Sequence, residues 1–259
     1  MLHSDSQDQL KTDQMSIGIV GFGAFGRLIA QHLHPYFQLY AFDPTAPAEG
    51  RDESLGVTFA DIATVAKCRI VVLAMPVNQL EQAIAAISPH LVPGALVLDV
   101  GSVKVIPADI MRRDLPAHVD IIGTHPLFGP QSARDGIKGL KIALCPIRGD
   151  RVGRVAAFLR AKLGLKVFIT TPEAHDQELA TVQGLTHLIA KVLVQMEPLP
   201  TRMTTSSFDM IMKAVEMVRY DAPEVFLAIE RSNPYSASVR EQFFRLSAEL
   251  NASLGGSKT

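Results

Sequence analysis

With 259 residues, 47% of them hydrophobic and a formal net charge of −1, the chain has the composition of a globular protein of one large or two small domains. So neutral a balance gives no electrostatic footprint for nucleic acid or an anionic membrane. No apolar run approaches the roughly 20 residues that span a bilayer. The two cysteines, Cys68 and Cys145, belong to no C-x-x-C or Cys/His ligand spacing. They are expected to be buried reduced thiols in a cytoplasmic protein, with no metal site.

Residues 1–14 are polar, lack the apolar core of a signal peptide, and are expected to form a disordered tail. A β-branched run (Ile17, Ile19, Val20) then enters the turn Gly21-Phe22-Gly23-Ala24-Phe25-Gly26, which opens a helix through Leu33. A second strand from Phe37 ends on Asp43, roughly 20 residues beyond the first glycine, as a dinucleotide-binding unit requires. Gly21 permits the tight turn, Gly23 lets backbone approach a pyrophosphate, and Gly26 lets helix and strand pack closely. The helix N-terminus offers unpaired N–H groups to the phosphates. Asp43 accepts hydrogen bonds from the adenosine ribose and repels a 2′-phosphate, which predicts NAD, with NADP the alternative through Arg51. The competing structural account is a glycine-rich turn with Asp43-Pro44 as an ordinary turn former.

Pro44 to Gly56 reads as a loop and Ala60 to Lys67 as a helix. Arg69 to Ala74 is continuously apolar, which suits a parallel strand covered on both faces, and it ends at Met75-Pro76. Asn78 to Ile87 is helical, Ala95 to Val100 a strand stopping at Gly101-Ser102, and Lys104 to Arg113 a short helix interrupted early by Pro107. Val119 to Gly123 is the next strand, followed by Thr124-His125-Pro126. Leu140 to Ile147 and Leu165 to Thr170 complete the sheet, separated by a helix from Arg151 to Leu163. The alternation predicts an α/β fold, a Rossmann-type doubly wound parallel sheet over residues 15–172.

From Pro172 on only helical periodicity remains, so residues 173–259 are expected to form a helical domain. Glu178 to Met196 carries Leu179, Val182, Leu185, Leu188, Ile189, Val192, Leu193 and Met196, a stripe too wide for a helix with one neighbour. It is expected to be buried between partners. A strip of Ala180, Gln183, Gly184, His187 and Lys191 shares one side of that helix and faces either solvent or a cleft. Phe208 to Arg219, Pro223 to Arg231 and Ser236 to Leu254 supply further helices.

Ligands of open α/β sheets sit outside the carboxyl ends of the strands. Met75, Pro76, Ser102, Lys104 and His125 stand at that edge. A hydroxyl with an imidazole suits a dehydrogenase, which must take a proton from a substrate hydroxyl as hydride leaves its carbon. Ser102 serves equally well as a helix cap, and His125 as a loop histidine beside a proline.

These residues carry a resemblance. Gly21 to Gly26, Asp99-Val-Gly-Ser-Val-Lys104, Gly123-Thr-His-Pro-Leu-Phe-Gly-Pro130, Glu173-Ala-His-Asp176 and Thr186-His187 together resemble the prephenate and arogenate dehydrogenase family of tyrosine biosynthesis, nearer its arogenate type. The resemblance implies oxidative decarboxylation of a cyclohexadienyl substrate, with His125 accepting the ring hydroxyl proton. It makes Ser102 a partner of that hydroxyl and of the cofactor, and brings His187, Gln131 and Ser132 to the substrate. It also implies a homodimer built through the helical domain, which the wide apolar face supports. Many bacterial members place an arginine in the helical domain on a substrate carboxylate; here an approximate alignment puts Glu216 there, with Lys213 and Arg219 nearby. Glu216 is therefore expected beside the ammonium of arogenate, or else as a surface residue paired with Lys213 or Arg219. No fused mutase or regulatory domain is expected after Leu254. Two rival readings remain: a β-hydroxyacid or imine-reducing dehydrogenase using Lys191, and a non-catalytic nucleotide-sensing protein.

Overall fold

In a computed structural model, which describes residues 15–47 and 49–255, the chain divides into two compact units. One runs to Gly101 and resumes over Pro107–Thr171; the other joins the short segment Ser102–Ile106 to the chain from Pro172 onward. The tail expected over residues 1–14 lies outside the described residues.

The first unit is built on nine strands in the order β3-β4-β2-β1-β5-β6-β7-β8-β9. They are β1 (Ser16–Val20), β2 (Gln38–Phe42), β3 (Gly50–Asp52), β4 (Val57–Phe59), β5 (Ile70–Leu73), β6 (Leu96–Asp99), β7 (Asp120–Pro126), β8 (Lys141–Arg148) and β9 (Lys166–Ile169). Helices α1 (Ala24–Leu33), α2 (Ile62–Ala66), α3 (Leu80–Ile87), α4 (Val105–Asp114) and α5 (Val152–Leu163) connect them. Strands β4, β2, β1, β5, β6 and β7 are all parallel, the doubly wound order in which the chain switches direction between β1 and β5.

The sheet is not parallel throughout. β8 runs antiparallel to β7, and β3 antiparallel to β4. No crossover helix separates β7 from β8, and without one a chain can only return antiparallel. α5 does cross between β8 and β9, and that pair is parallel. β3 and β4 lie in and just beyond the stretch read as a loop from Pro44. At three residues each they are too short to show a period, and the carboxylate of Asp52 ties their turn by accepting the Ser54 and Leu55 amides. Pro107 does not interrupt α4: it occupies the first turn, where the missing N–H has no partner to lose.

Both faces of the sheet are covered. On β5, Val71 and Leu73 enter one core with Ile84, Ile87, Met111 and Ile121, while Val72 enters the other with Ile17, Ile19, Leu39 and Val57. Fully burying such a side chain contributes about 1.5–3 kcal/mol, so this unit carries a large core of its own.

The second unit contains α6 (Pro172–Gln195), α7 (Ser206–Val218), α8 (Pro223–Leu227), a π-helical turn at Ala228–Ser232, and α9 (Ser236–Gly255). α6 begins well before Glu178, with Pro172 at a first-turn position. Its buried side is the reverse of expectation. His175, Asp176, Ala180, Gly184, His187 and Ala190 are buried, while Val182, Ile189, Val192 and Met196 are exposed. Small residues let helices approach closely, and α6 packs against both α7 and α9. The wide apolar face is divided: Leu179, Leu185, Leu188 and Leu193 are half-buried, while Val182, Ile189, Val192 and Met196 point outward on the protomer. The small-and-polar strip accordingly does not face solvent: Ala180, Gly184 and His187 are buried, and Gln183 and Lys191 half-buried.

Candidate functional site

The carboxyl ends of β1, β2, β5, β6 and β7 share one edge because those strands are parallel. At the end of β1, Gly21 adopts φ +94°, and a Cβ there would run into the Ala74 carbonyl. A Cβ on Gly26 would strike the Gly21 carbonyl, whereas Gly23 faces open space. Close packing below and room above are what a backbone cradle for a pyrophosphate needs. α1 begins at Ala24 with no acidic residue in its first turn, so the positive end of its dipole is not neutralised from within.

Asp43 follows β2 and is held in place by the turn. Its Oδ2 accepts the Phe22 amide at 2.7 Å, and Oδ1 accepts both the amide and the hydroxyl of Thr45, at 2.8 and 2.6 Å. Partial burial pushes its carboxyl up, but the hydrogen bonds from Thr45 and Phe22, with Arg27 nearby, leave it below the ordinary carboxylate range. A cleft of about 630 Å³ opens beside it, lined by Phe22, Arg27, Asp43, Thr45, Arg51 and Phe59 among others. Phe22 and Phe59 meet edge to face at 5.2 Å, and the Arg27 guanidinium stands 5.1 Å over Phe22. The residues present therefore fit an adenosine and its pyrophosphate. Arg51 is paired with Glu53 at 3.0 Å, both exposed, an interaction too weak to lock it.

Met75 is half-buried, and Pro76 precedes a short 3₁₀ turn at Val77–Gln79. His125 lies inside β7, not in the loop after it, because pairing with β8 extends the strand to Pro126 and sets His125 opposite Ala143. It is 4% exposed. Beside it is a residue with no role assigned from sequence, Asp99, which ends β6 and is 3% exposed. The Asp99 carboxylate accepts the amides of Gly101 and Thr124, and its carbonyl accepts the Thr124 hydroxyl at 2.6 Å. It braces the ends of β6 and β7 together. The signal was present, since Asp99 closes an apolar strand just as the acid after β2 does.

Gln131 is exposed, and Ser132 turns its hydroxyl back onto Gly129, accepting its amide at 2.9 Å. That bond shapes the loop after Pro130.

In the helical unit, His187 Nδ1 lies 3.0 Å from the Gln183 carbonyl, which can only accept, so Nδ1 carries a proton. Nε2 faces Asp221 at 3.1 Å, a partner with no role assigned from sequence. Lys191 stands 5.6 Å over the Phe226 ring. Glu216 sits on the exposed side of α7 and accepts from Arg219 at 2.7 Å, with Glu197 on the same guanidinium. That is the arrangement of a surface ion pair, not of a free acceptor. The turn carrying Ser102 is held by Asp176, whose two carboxylate oxygens accept the amides of Lys104 and Val105. Among the described residues no group of three or more His, Cys, Asp or Glu could hold a metal, and no helix is long and apolar enough to cross a membrane. Cys68 and Cys145 are buried and not joined in a disulfide, and burial pushes the Cys68 thiol up.

Residues 26–170 match the family model of the prephenate dehydrogenase nucleotide-binding domain. The chain belongs to the prephenate dehydrogenase family. It is 27% identical over 214 residues to a probable arogenate/prephenate dehydrogenase of Methanocaldococcus jannaschii, covering 77% of this chain and 47% of that protein. It is 26% identical over 257 residues to arogenate dehydrogenase 1 of Arabidopsis thaliana, covering 94% of this chain and 40% of that one. The chain thus spans about half or less of the length of these two curated relatives. Arogenate dehydrogenase 2 of the same plant is 28% identical, with 93% of this chain and 71% of that one covered. Among solved structures, the prephenate dehydrogenase of Aquifex aeolicus in complex with hydroxyphenyl propionate and NAD+ aligns with a TM-score of 0.72 at 22% identity, over 93% of this chain and 90% of that one. At that identity the likeness speaks for the fold.

Proposed function

We propose that this protein is a nicotinamide-dependent dehydrogenase that oxidatively decarboxylates a cyclohexadienyl substrate, arogenate ahead of prephenate. The observation that carries the reading is the placement of His125, buried at the same sheet edge on which the Gly21–Gly26 turn opens. Bound nicotinamide would accept the hydride from the ring carbon that bears the hydroxyl. His125 takes the hydroxyl proton as that carbon becomes a carbonyl. The bond to the ring carboxylate then breaks, carbon dioxide leaves, and its electron pair completes the aromatic ring. His125 returns the proton to the phenolate oxygen, so the proton balance closes. Ser102 orients the hydroxyl, and His187, with Gln131 and Ser132, contacts the rest of the substrate. Met75 and Pro76 complete the cofactor edge.

The cofactor preference is NAD over NADP, since Asp43 stays charged and its remaining lone pair suits a ribose hydroxyl while repelling a 2′-phosphate. The arogenate preference draws on the two plant relatives, each covering more than nine-tenths of this chain. Glu216 offers it little while paired with Arg219. The homodimer forms through the exposed apolar residues of α6, α7 and α9. Reduced-cofactor absorbance, with arogenate and prephenate each crossed with NAD and NADP, tests the reading. Turnover of arogenate with NAD is expected. Silence with both substrates would refute the dehydrogenase, and equal or better efficiency with NADP would refute the cofactor assignment.

A further inference from the structure

A serine at the head of a helix caps when its oxygen accepts an amide of the first turn, but Ser102 lies three residues before α4 and leaves the cap position to Lys104. The Ser102 hydroxyl has no hydrogen-bond partner among the described residues. Lys104 directly precedes α4, and its ammonium has no acceptor to offer. The acceptor arrives from 72 residues away: Asp176 Oδ1 takes the Lys104 amide at 2.8 Å and Oδ2 takes the Val105 amide at 2.9 Å. The carboxylate is fully buried and is itself fixed, with His175 Nδ1 at 2.7 Å from Oδ1. Asn233 donates to the Asp176 carbonyl at 2.8 Å, and its own Oδ1 accepts the Tyr235 amide.

We propose that Asp176 is a positioning residue that acts through Ser102: it supplies the cap the α4 N-terminus needs, fixes the Ser102–Lys104 turn, and leaves the serine hydroxyl free for a ligand. The proposal rests on the dehydrogenase reading, in which Ser102 orients the substrate hydroxyl. A carboxylate at the positive end of a helix serves better than a hydroxyl, because it also meets the dipole. It is held on α6, and the segment Ser102–Ile106 groups with α6 and not with the sheet that precedes it. The position of the hydroxyl is therefore set by the helical unit.

A kinetic double-mutant cycle tests this. Asp176→Asn presents an amide group to the two N–H donors and loosens the turn that carries Ser102. Its kcat should fall by up to about 100-fold, the scale of a misplacement near 1 Å, with the KM for cofactor within about twofold of wild type. If Asp176 acts through Ser102, the Asp176→Asn/Ser102→Ala double variant should be no more than about threefold slower than Ser102→Ala alone. Thermal melts establish that each variant is folded. Should Asp176→Asn fail to fold, Val105→Pro deletes one of the two donors at a first helical position that tolerates proline, and the same non-additivity is expected with Ser102→Ala. Multiplicative effects on kcat, or a wild-type kcat in folded Asp176→Asn, would overturn the assignment while leaving the dehydrogenase intact. A wild type silent with both substrates would overturn both.

Discussion

In the sheet unit the large apolar side chains are enclosed: Ile19, Leu39, Leu73, Ile84 and Ile121 are at most 1% exposed. In the helical unit Val182, Met196, Met210 and Leu250 are each more than half exposed, and beside Val215 and Ile229 the buried positions include Ala180, Gly184 and Ala190 with His175, Asp176, His187 and Glu230. A doubly wound sheet is covered on both faces by its own helices and needs nothing else. The helices after Pro172 enclose a seam rich in small and polar groups and leave several large apolar residues exposed. Burial in the first unit serves mainly stability, with Asp99 and His125 the polar exceptions at the strand ends, and burial in the second serves largely the placement of polar groups. In the proposed homodimer, a second copy would cover these exposed apolar residues.

The sharpest way to break that contrast is at one of the polar groups buried in the sheet unit, His125. His125→Asn keeps the shape of the ring's attachment and removes the base, so kcat should drop about 10²–10⁴-fold, the usual contribution of general acid–base catalysis. Cofactor affinity should barely move; turnover within about threefold of wild type would remove His125 from the mechanism. Next in size is the sheet core. Leu73→Ala should cost about 2–5 kcal/mol in chemical denaturation, from lost transfer energy and the cavity left behind.

Ile189→Glu on α6 is the counterpart, a far larger chemical change at a position exposed on the protomer. It should shift protomer stability by only about 0.5 kcal/mol and convert the proposed dimer to monomer in light scattering. A dimer that survives it and Val192→Glu together would place the interface elsewhere. Glu216→Gln should leave the arogenate-to-prephenate preference within about twofold, the scale of a surface ion pair; a reversal would return Glu216 to the substrate.

The smallest effect concerns pH. The folded-state value of the Asp43 carboxyl is depressed, so its ionised form contributes stability at pH values above the ordinary carboxylate range. That contribution fades as pH falls through about 4 and on toward the folded value. Asp43→Asn should therefore lower Tm slightly at neutral pH and reduce the fall of Tm in acid. An unchanged acid limb would show that its hydrogen bonds to Phe22 and Thr45 are not retained in solution.

Much of this was legible beforehand because the signals were local. The glycine turn, the terminal Asp43 and the continuous apolarity of Ile70–Leu73 each report their own surroundings, and the doubly wound class of the sheet follows from strand–helix alternation. The direction of β8 was legible too, in the missing helix between Gly123 and Leu140, but alternation elsewhere outweighed it. The buried side of α6 was not, because periodicity says which residues share a side and not which side meets a neighbour. Asp176 and Asp221 escaped for a related reason. Each acts on a residue far along the chain, Lys104 or His187, and no spacing rule reaches that far.

The grouping of Ser102–Ile106 with the helices also bears on how such a chain can be dissected. A cut at Pro172, where composition changes, would leave the first turn of α4 without the carboxylate that caps it. The severed fragments should then bind one another, because the helical piece carries the missing acceptor.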